Sequence, residues 1–171
     1  MRRKYLGGCH CGRIRFEAYA DLQGARNGIC NCLSCTMKGF IHHHVARADF
    51  NLLTGFDDLK LYKFGSLSAE HYFCKYCGVE SFYQSRSDLD KWDINVRCLE
   101  DAETHEKVDI YRLDYQLSDG ENWAESQAER HRRAQQADAV APRLWRLVAP
   151  ADLMPGEVDV KAAFRRTWAA P

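Results

Sequence analysis

No apolar run in this chain approaches the length needed to cross a membrane, which excludes a helical membrane protein. Neither sign of charge is in excess. The 171 residues carry 24 Lys and Arg against 24 Asp and Glu, and this balance gives no electrostatic footprint for nucleic acid or an acidic bilayer. Arg2, Arg3 and Lys4 near the start are not followed by the apolar stretch of a secretory signal. The expectation is a soluble, cytoplasmic protein with no nucleic-acid and no membrane partner. Sustained helical periodicity is missing from Arg13 to about Leu113, and there is no internal repeat or low-complexity tract. The length suffices for one domain with its own core and is too short for two ordinary ones.

Against these absences stands an abundance of cysteine. Seven of the eight cysteines fall in three clusters: Cys9-x-Cys11, Cys30-x-Cys32-x-x-Cys35 and Cys74-x-x-Cys77. Such short spacings, in a chain without a secretory signal, favour reduced thiols holding a metal over a disulfide framework. Sulfur ligation of this density suits zinc, with iron–sulfur clusters as a minor alternative. Gly7, Gly8, Gly12 and Gly78 let the backbone turn sharply around a metal.

Ligand counting then divides the clusters. One Cys-x-Cys and one Cys-x-x-Cys supply four thiolates, a closed tetrahedron that holds a fold together. The remaining Cys30, Cys32 and Cys35 supply three, leaving a fourth position that a substrate can take. The pairing is an inference from spacing, since the triplet could share sulfurs with either pair. Cys98 or a histidine could also close the second site. On a strand His42 and His44 share a face and could ligate, although partly exposed strand histidines without a ligand role are the commoner case. His10 lies between two candidate ligands and could support them by a hydrogen bond, and His71 reads as packing. Lys38, Arg13 and Arg97 are the cations that could offset the negative charge of a thiolate-rich centre.

Short β-type runs account for the rest of the first two thirds. Alternation marks strands at Arg13 to Ala18, Asp58 to Leu61 and Asn95 to Cys98, the last placing Cys98 on the face of Val96. Further strands are expected at Phe40 to Ala46, Ala69 to Phe73, Val79 to Gln84 and Val108 to Leu113, with the metal clusters on connecting loops. After Ser118 the composition shifts. Glu121 to Ala139 has helix propensity, with Ser118 or Asp119 as its cap, and Pro142, Pro150 and Pro155 prevent a long helix beyond it. Trp145, Leu147, Val148, Phe164 and Trp168 could drape this segment over the domain or pair subunits into a homo-oligomer.

Gly7-Gly8-Cys9-His10-Cys11-Gly12-Arg13-Ile14-Arg15-Phe16, then Cys30-Asn31-Cys32-Leu33-Ser34-Cys35, then His71-Tyr72-Phe73-Cys74-Lys75-Tyr76-Cys77-Gly78-Val79, then Asn95-Val96-Arg97-Cys98-Leu99 succeed one another in the chain. Together they resemble the glutathione-dependent formaldehyde-activating enzyme / centromere protein V family, over residues 3–117, with 118–171 as a C-terminal extension. The resemblance implies a mainly β, β-tent fold (Mss-four-like, also seen in methionine sulfoxide reductase B) with two zinc ions and a partly helical extension. It implies a structural zinc on Cys9, Cys11, Cys74 and Cys77, and a catalytic zinc on Cys30, Cys32 and Cys35. The activity implied is a carbon–sulfur lyase, joining glutathione or another small thiol to formaldehyde or a similar small carbonyl compound, as an S-(hydroxymethyl)glutathione synthase does. The alternative is a non-catalytic zinc-stabilised binding module. The centromere protein V branch would bring a basic flank, which this neutral chain lacks.

Overall fold

The structure is a computed structural model that describes residues 1–24 and 27–123. Two sheets form it. The smaller has the order β10-β1-β2-β5, all antiparallel, from β1 (Arg3–Gly8), β2 (Arg15–Ala20), β5 (Phe50–Thr54) and β10 (Leu99–Asp101). The larger has the order β11-β3-β4-β9-β8-β7-β6. Its strands are β3 (Asn27–Cys30), β4 (Ile41–Ala46), β6 (Leu59–Tyr62), β7 (Glu70–Cys74), β8 (Glu80–Gln84), β9 (Lys91–Asn95) and β11 (Tyr115–Ser118). Neighbours in it are antiparallel except β11, which runs parallel to β3. One helix, α1 (Leu33–Lys38), joins β3 to β4.

Alternation on β2 turns Phe16, Ala18 and Ala20 inward, and the core forms where that face meets the larger sheet. Phe16 and Phe50 from the smaller sheet pack on Phe82 and Trp92 of the larger, with ring centroids 4.9 to 5.7 Å apart. Aromatic pairs at this spacing contribute about 0.5–1.5 kcal/mol each beyond the area they bury. Gly7 admits this packing: a Cβ there would lie 2.2 Å from the Phe16 ring. β8 is buried along its whole length, so its Val79-to-Gln84 run is apolar and polar without alternation.

The strand expected from alternation at Asp58–Leu61, and the further strands expected at Phe40–Ala46, Ala69–Phe73 and Val79–Gln84, form within a residue or so of those bounds. Three expectations need correction. The strand expected from Arg13 starts at Arg15, because the chain is still turning around Cys9, whose N–H bonds the Ile14 carbonyl at 3.1 Å. Asn95–Cys98 is not a strand: β9 ends at Asn95, whose side chain accepts from the Arg97 N–H and sets Val96–Cys98 into a 3₁₀ turn. Cys98 therefore does not share a strand face with Val96. Val108–Leu113 likewise holds a 3₁₀ turn at Ile110–Arg112, capped by Asp109, and the strand comes after it. The helix expected from Glu121 and the aromatic anchors beyond it lie outside the described residues, apart from 121–123. Among the described residues no helix is long and apolar enough to cross a membrane.

Candidate metal centres

β1 delivers Cys9 into a tight turn in which the Gly12 N–H bonds the Cys9 carbonyl at 3.2 Å, with Gly12 at φ +83°. β7 ends on Cys74 and makes the matching turn. There the Gly78 N–H reaches the Cys74 carbonyl at 2.8 Å, with Gly78 at φ +72°. Both glycines adopt a left-handed backbone that a side chain would strain. The two turns bring the Sγ atoms of Cys9, Cys11, Cys74 and Cys77 within 4.8 Å of one another. Cys9 to Cys11 is 3.5 Å and Cys11 to Cys74 is 3.6 Å. A disulfide would need about 2.05 Å, whereas four sulfurs at about 2.3 Å from a central ion stand a little under 4 Å apart. The donor set fits zinc, and its four sulfurs would fill a tetrahedral shell.

The second cluster is assembled from β3, α1 and β4. Cys30 ends β3, Cys32 caps α1 with its sulfur accepting the Cys35 N–H at 3.4 Å, and Cys35 sits buried in the helix. Gly39 at φ +62° ends the helix and turns the chain into β4, which carries His42 back over the cysteines. The donor atoms of Cys30, Cys35 and His42 lie within 4.8 Å of one another. Hydrogen bonds from the Cys30 and Cys35 thiols push the Cys32 thiol down to about 2. The same contacts push Cys30 up to about 11 and Cys35 well above the ordinary thiol range.

A shell of named residues surrounds this cluster. His42 Nδ1 is 2.8 Å from Asp93 Oδ2, and Tyr83 Oη is 3.4 Å from the same nitrogen. Burial raises the Tyr83 phenol well above its usual range, with Asp93 and the Cys35 and Cys30 sulfurs adding to it, so it keeps its proton at neutral pH. Lys38 faces Cys32 electrostatically, but its ammonium is committed to Glu80 at 2.5 Å and His71 at 3.2 Å. Arg86 is the cation that sequence reasoning missed. Burial holds its guanidinium below the usual arginine range, with the nearby Cys32 and Cys30 sulfurs acting the other way, and it stacks 3.9 Å from the Trp123 ring.

The remaining candidates fall elsewhere. Arg13 stacks on Tyr76 beside the four-sulfur centre, and Arg97 donates to the Gly39 carbonyl at 2.8 Å. Cys98 lines a cavity of about 550 Å³ together with Cys9 and His10, on the side of the first centre, so it does not close the second. Burial pushes its thiol up to about 12, in keeping with a packed cysteine. His10 is exposed. His71 is buried and stacked between Phe64 and Tyr83, with Nδ1 2.7 Å from Glu80. His43 bonds Asn27 at 3.0 Å. His44 is exposed and lies 3.8 Å from Asp93.

Chain beyond β11 also reaches the second cluster. Asn31 Nδ2 bonds Asp119 Oδ1 at 2.9 Å, the Glu121 N–H donates to Asn31 Oδ1, and a Cβ on Gly120 would lie 2.3 Å from Cys30 Sγ. A methyl group there cannot be accommodated without moving the Cys30 sulfur. Gly120→Ala is therefore expected to lower metal affinity at the second cluster by tenfold or more, about 1.4 kcal/mol, and to leave the first untouched. Chelator competition with a zinc indicator reads both, and equal affinities in the variant and the parent would refute the contact.

Residues 4–114 match the glutathione-dependent formaldehyde-activating enzyme family. Among solved structures, a crystal structure of a Rhodobacter sphaeroides protein superposes with a TM-score of 0.54 at 30% identity, covering 65% of this chain and 99% of that one. The match spans both cysteine centres and the strands that carry them, and the chain belongs to the glutathione-dependent formaldehyde-activating enzyme family.

Proposed function

We propose that the protein is a zinc-dependent carbon–sulfur lyase of the S-(hydroxymethyl)glutathione synthase type. In this reading Cys9, Cys11, Cys74 and Cys77 hold a structural zinc, and the Cys30, Cys32 and Cys35 loop holds a catalytic one. The observation that carries it is the difference in donors between the two centres: four sulfurs gather at the first, whereas the group at the second has three donors, Cys30, Cys35 and His42. Family membership supplies the reaction class.

The reaction needs no redox partner. A carbon–sulfur bond forms between the thiol sulfur and the aldehyde carbon, the sulfur gives up its proton, and the carbonyl oxygen gains one. Bound zinc at the second centre would favour the thiolate form of the substrate at neutral pH. The chain's own part is to bind and orient. Arg86 sets a positive charge near the loop, which lowers the cost of gathering another anionic sulfur there, while Lys38 is neutralised by its pair with Glu80 and adds little. Phe40, Tyr83 and Phe73 stand around the Lys38 ammonium, 5.6 to 5.9 Å from it, and form an aromatic wall next to the thiols. Holding thiol and aldehyde in one place makes their addition effectively unimolecular.

The test is the rate of exchange between ¹³C-formaldehyde and its glutathione adduct, measured by NMR exchange spectroscopy. The protein is expected to raise that rate above the spontaneous one, and Cys35→Ser to return it to the spontaneous value. A rate unchanged by the wild-type protein would dismiss the lyase. The competing reading, a non-catalytic zinc-stabilised binding module, draws on the nearness of His42, which is placed to close the second centre.

A further inference from the structure

A buried ring nitrogen with nothing to bond is unusual, because leaving such a group unsatisfied costs about 1–3 kcal/mol. His42 has one. Its side chain is buried, its Nδ1 is engaged by Asp93 Oδ2 at 2.8 Å, and its Nε2 has no hydrogen-bond partner among the described residues. The ring cannot readily turn away, since Phe40 and Tyr83 pack on it at centroid distances of 4.7 and 5.9 Å. Asp93 is itself fully buried, and it fixes the tautomer: a proton on Nδ1 leaves the lone pair on Nε2. One nitrogen of the same ring lies within 4.8 Å of the Cys30 and Cys35 sulfurs, and a carboxylate on one ring nitrogen with a metal on the other is the arrangement in which metal-bound histidines are held.

We propose that the metal of the second centre is held by Cys30, Cys35 and Nε2 of His42, with Asp93 as the positioning residue, and that Cys32 occupies the replaceable vertex. Cys35 and His42 are buried, Cys30 and Cys32 are partly exposed, and Cys32 stands on the capping residue of α1. Cys32 also falls outside the group of three donors that lie within 4.8 Å of one another. Charge favours this ligand set. A divalent ion with two thiolates and a neutral imidazole is neutral, so one further thiolate, from Cys32 or from solution, brings the site only to −1. Three cysteines and a substrate thiolate would bring it to −2, a costlier state for a half-buried site.

The inference rests on the reading that this centre binds a metal, and not on the lyase chemistry. The full chain is loaded with ¹¹³Cd and labelled with ¹⁵N-histidine. Two cadmium resonances are expected, one of them coupled to a single imidazole nitrogen. His42→Ala should abolish the coupling and weaken the second metal about 100-fold in chelator competition, and Asp93→Asn should weaken it about tenfold. Cys32→Ala should keep both the coupling and the metal. Retention of the first metal checks that each variant is folded, and if His42→Ala fails that check the coupling in the parent protein decides. Two resonances with no nitrogen coupling would overturn the proposal. So would a Cys32→Ala protein that loses the second metal while His42→Ala retains it at parental affinity. A single cadmium resonance in the parent would instead remove the second metal altogether, and the inference with it.

Discussion

Cys77→Ser is expected to unfold the protein, and Cys32→Ser to leave it folded. The difference lies in what each sulfur ties together. Cys11 and Cys74 are 63 residues apart in sequence, and their centre joins the β1 turn of the smaller sheet to the β7 turn of the larger. A closure of that span, lost with the metal, returns much chain entropy to the unfolded state. Structural zinc in small domains contributes about 10–16 kcal/mol at neutral pH, whereas whole domains are stable by only about 5–15 kcal/mol. Removing one of four ligands therefore threatens the entire margin. Cys30, Cys32, Cys35 and His42 follow one another in a short stretch of chain from the end of β3 through α1 to the start of β4, so their metal closes little chain and its loss is local. Far-UV circular dichroism with zinc content per chain checks this. Unfolding of both variants to the same extent would mean that the two centres do not differ in role. Chelator treatment should reproduce the order, with the second metal leaving before the far-UV signal falls.

What the sequence made legible is what is local. Cysteines two and three residues apart announce their ligand role wherever the chain goes, and the strands at β2, β4, β6, β7 and β8 were visible from their composition and alternation. β1 was not visible. Arg3–Gly8 ends in two glycines, poor strand formers, and Gly7 is there to receive the Phe16 ring rather than to favour a strand. α1 spans six residues, too few for a helical period to show, and the expected strands at Asn95 and Val108 were lost to side-chain caps that outcompeted alternation. The surroundings of the second cluster were hidden for a different reason. His42 and Asp93 are 51 residues apart, and they meet only because β4 pairs with β9 in the register that sets His44 opposite Asp93. Asn31 and Asp119 meet across 88 residues through the parallel pairing of β11 with β3. No spacing rule reaches that far, which is why His42 read as a partly exposed strand histidine, where the structure buries it, and Gly120 drew no notice at all.

Reduced glutathione is expected to bind the zinc-loaded protein about 100-fold more tightly than S-methylglutathione, roughly 2.7 kcal/mol in a calorimetric titration. The two ligands share every charge and nearly every atom. They differ in that the methylated sulfur cannot lose a proton and present an anion to the Cys30, Cys32 and Cys35 loop. The pH dependence has a definite sign. A cysteine-type thiol titrates near about 8.5, so below that value each unit of acidification should cost up to about tenfold in affinity as the proton competes for the sulfur. S-methylglutathione should bind with no such slope. Arg86 provides the test of the electrostatic part. Arg86→Gln removes a positive charge beside the thiols and should weaken the reduced form several-fold while leaving metal content unchanged. Lys38→Glu is a poorer probe, because Lys38 already pairs with the buried Glu80 at 2.5 Å and reversal would set two carboxylates against each other. Equal affinity for the two glutathione forms would show that the sulfur is not what the protein recognises. The second centre would then be a structural one, closed by its own cysteines and His42.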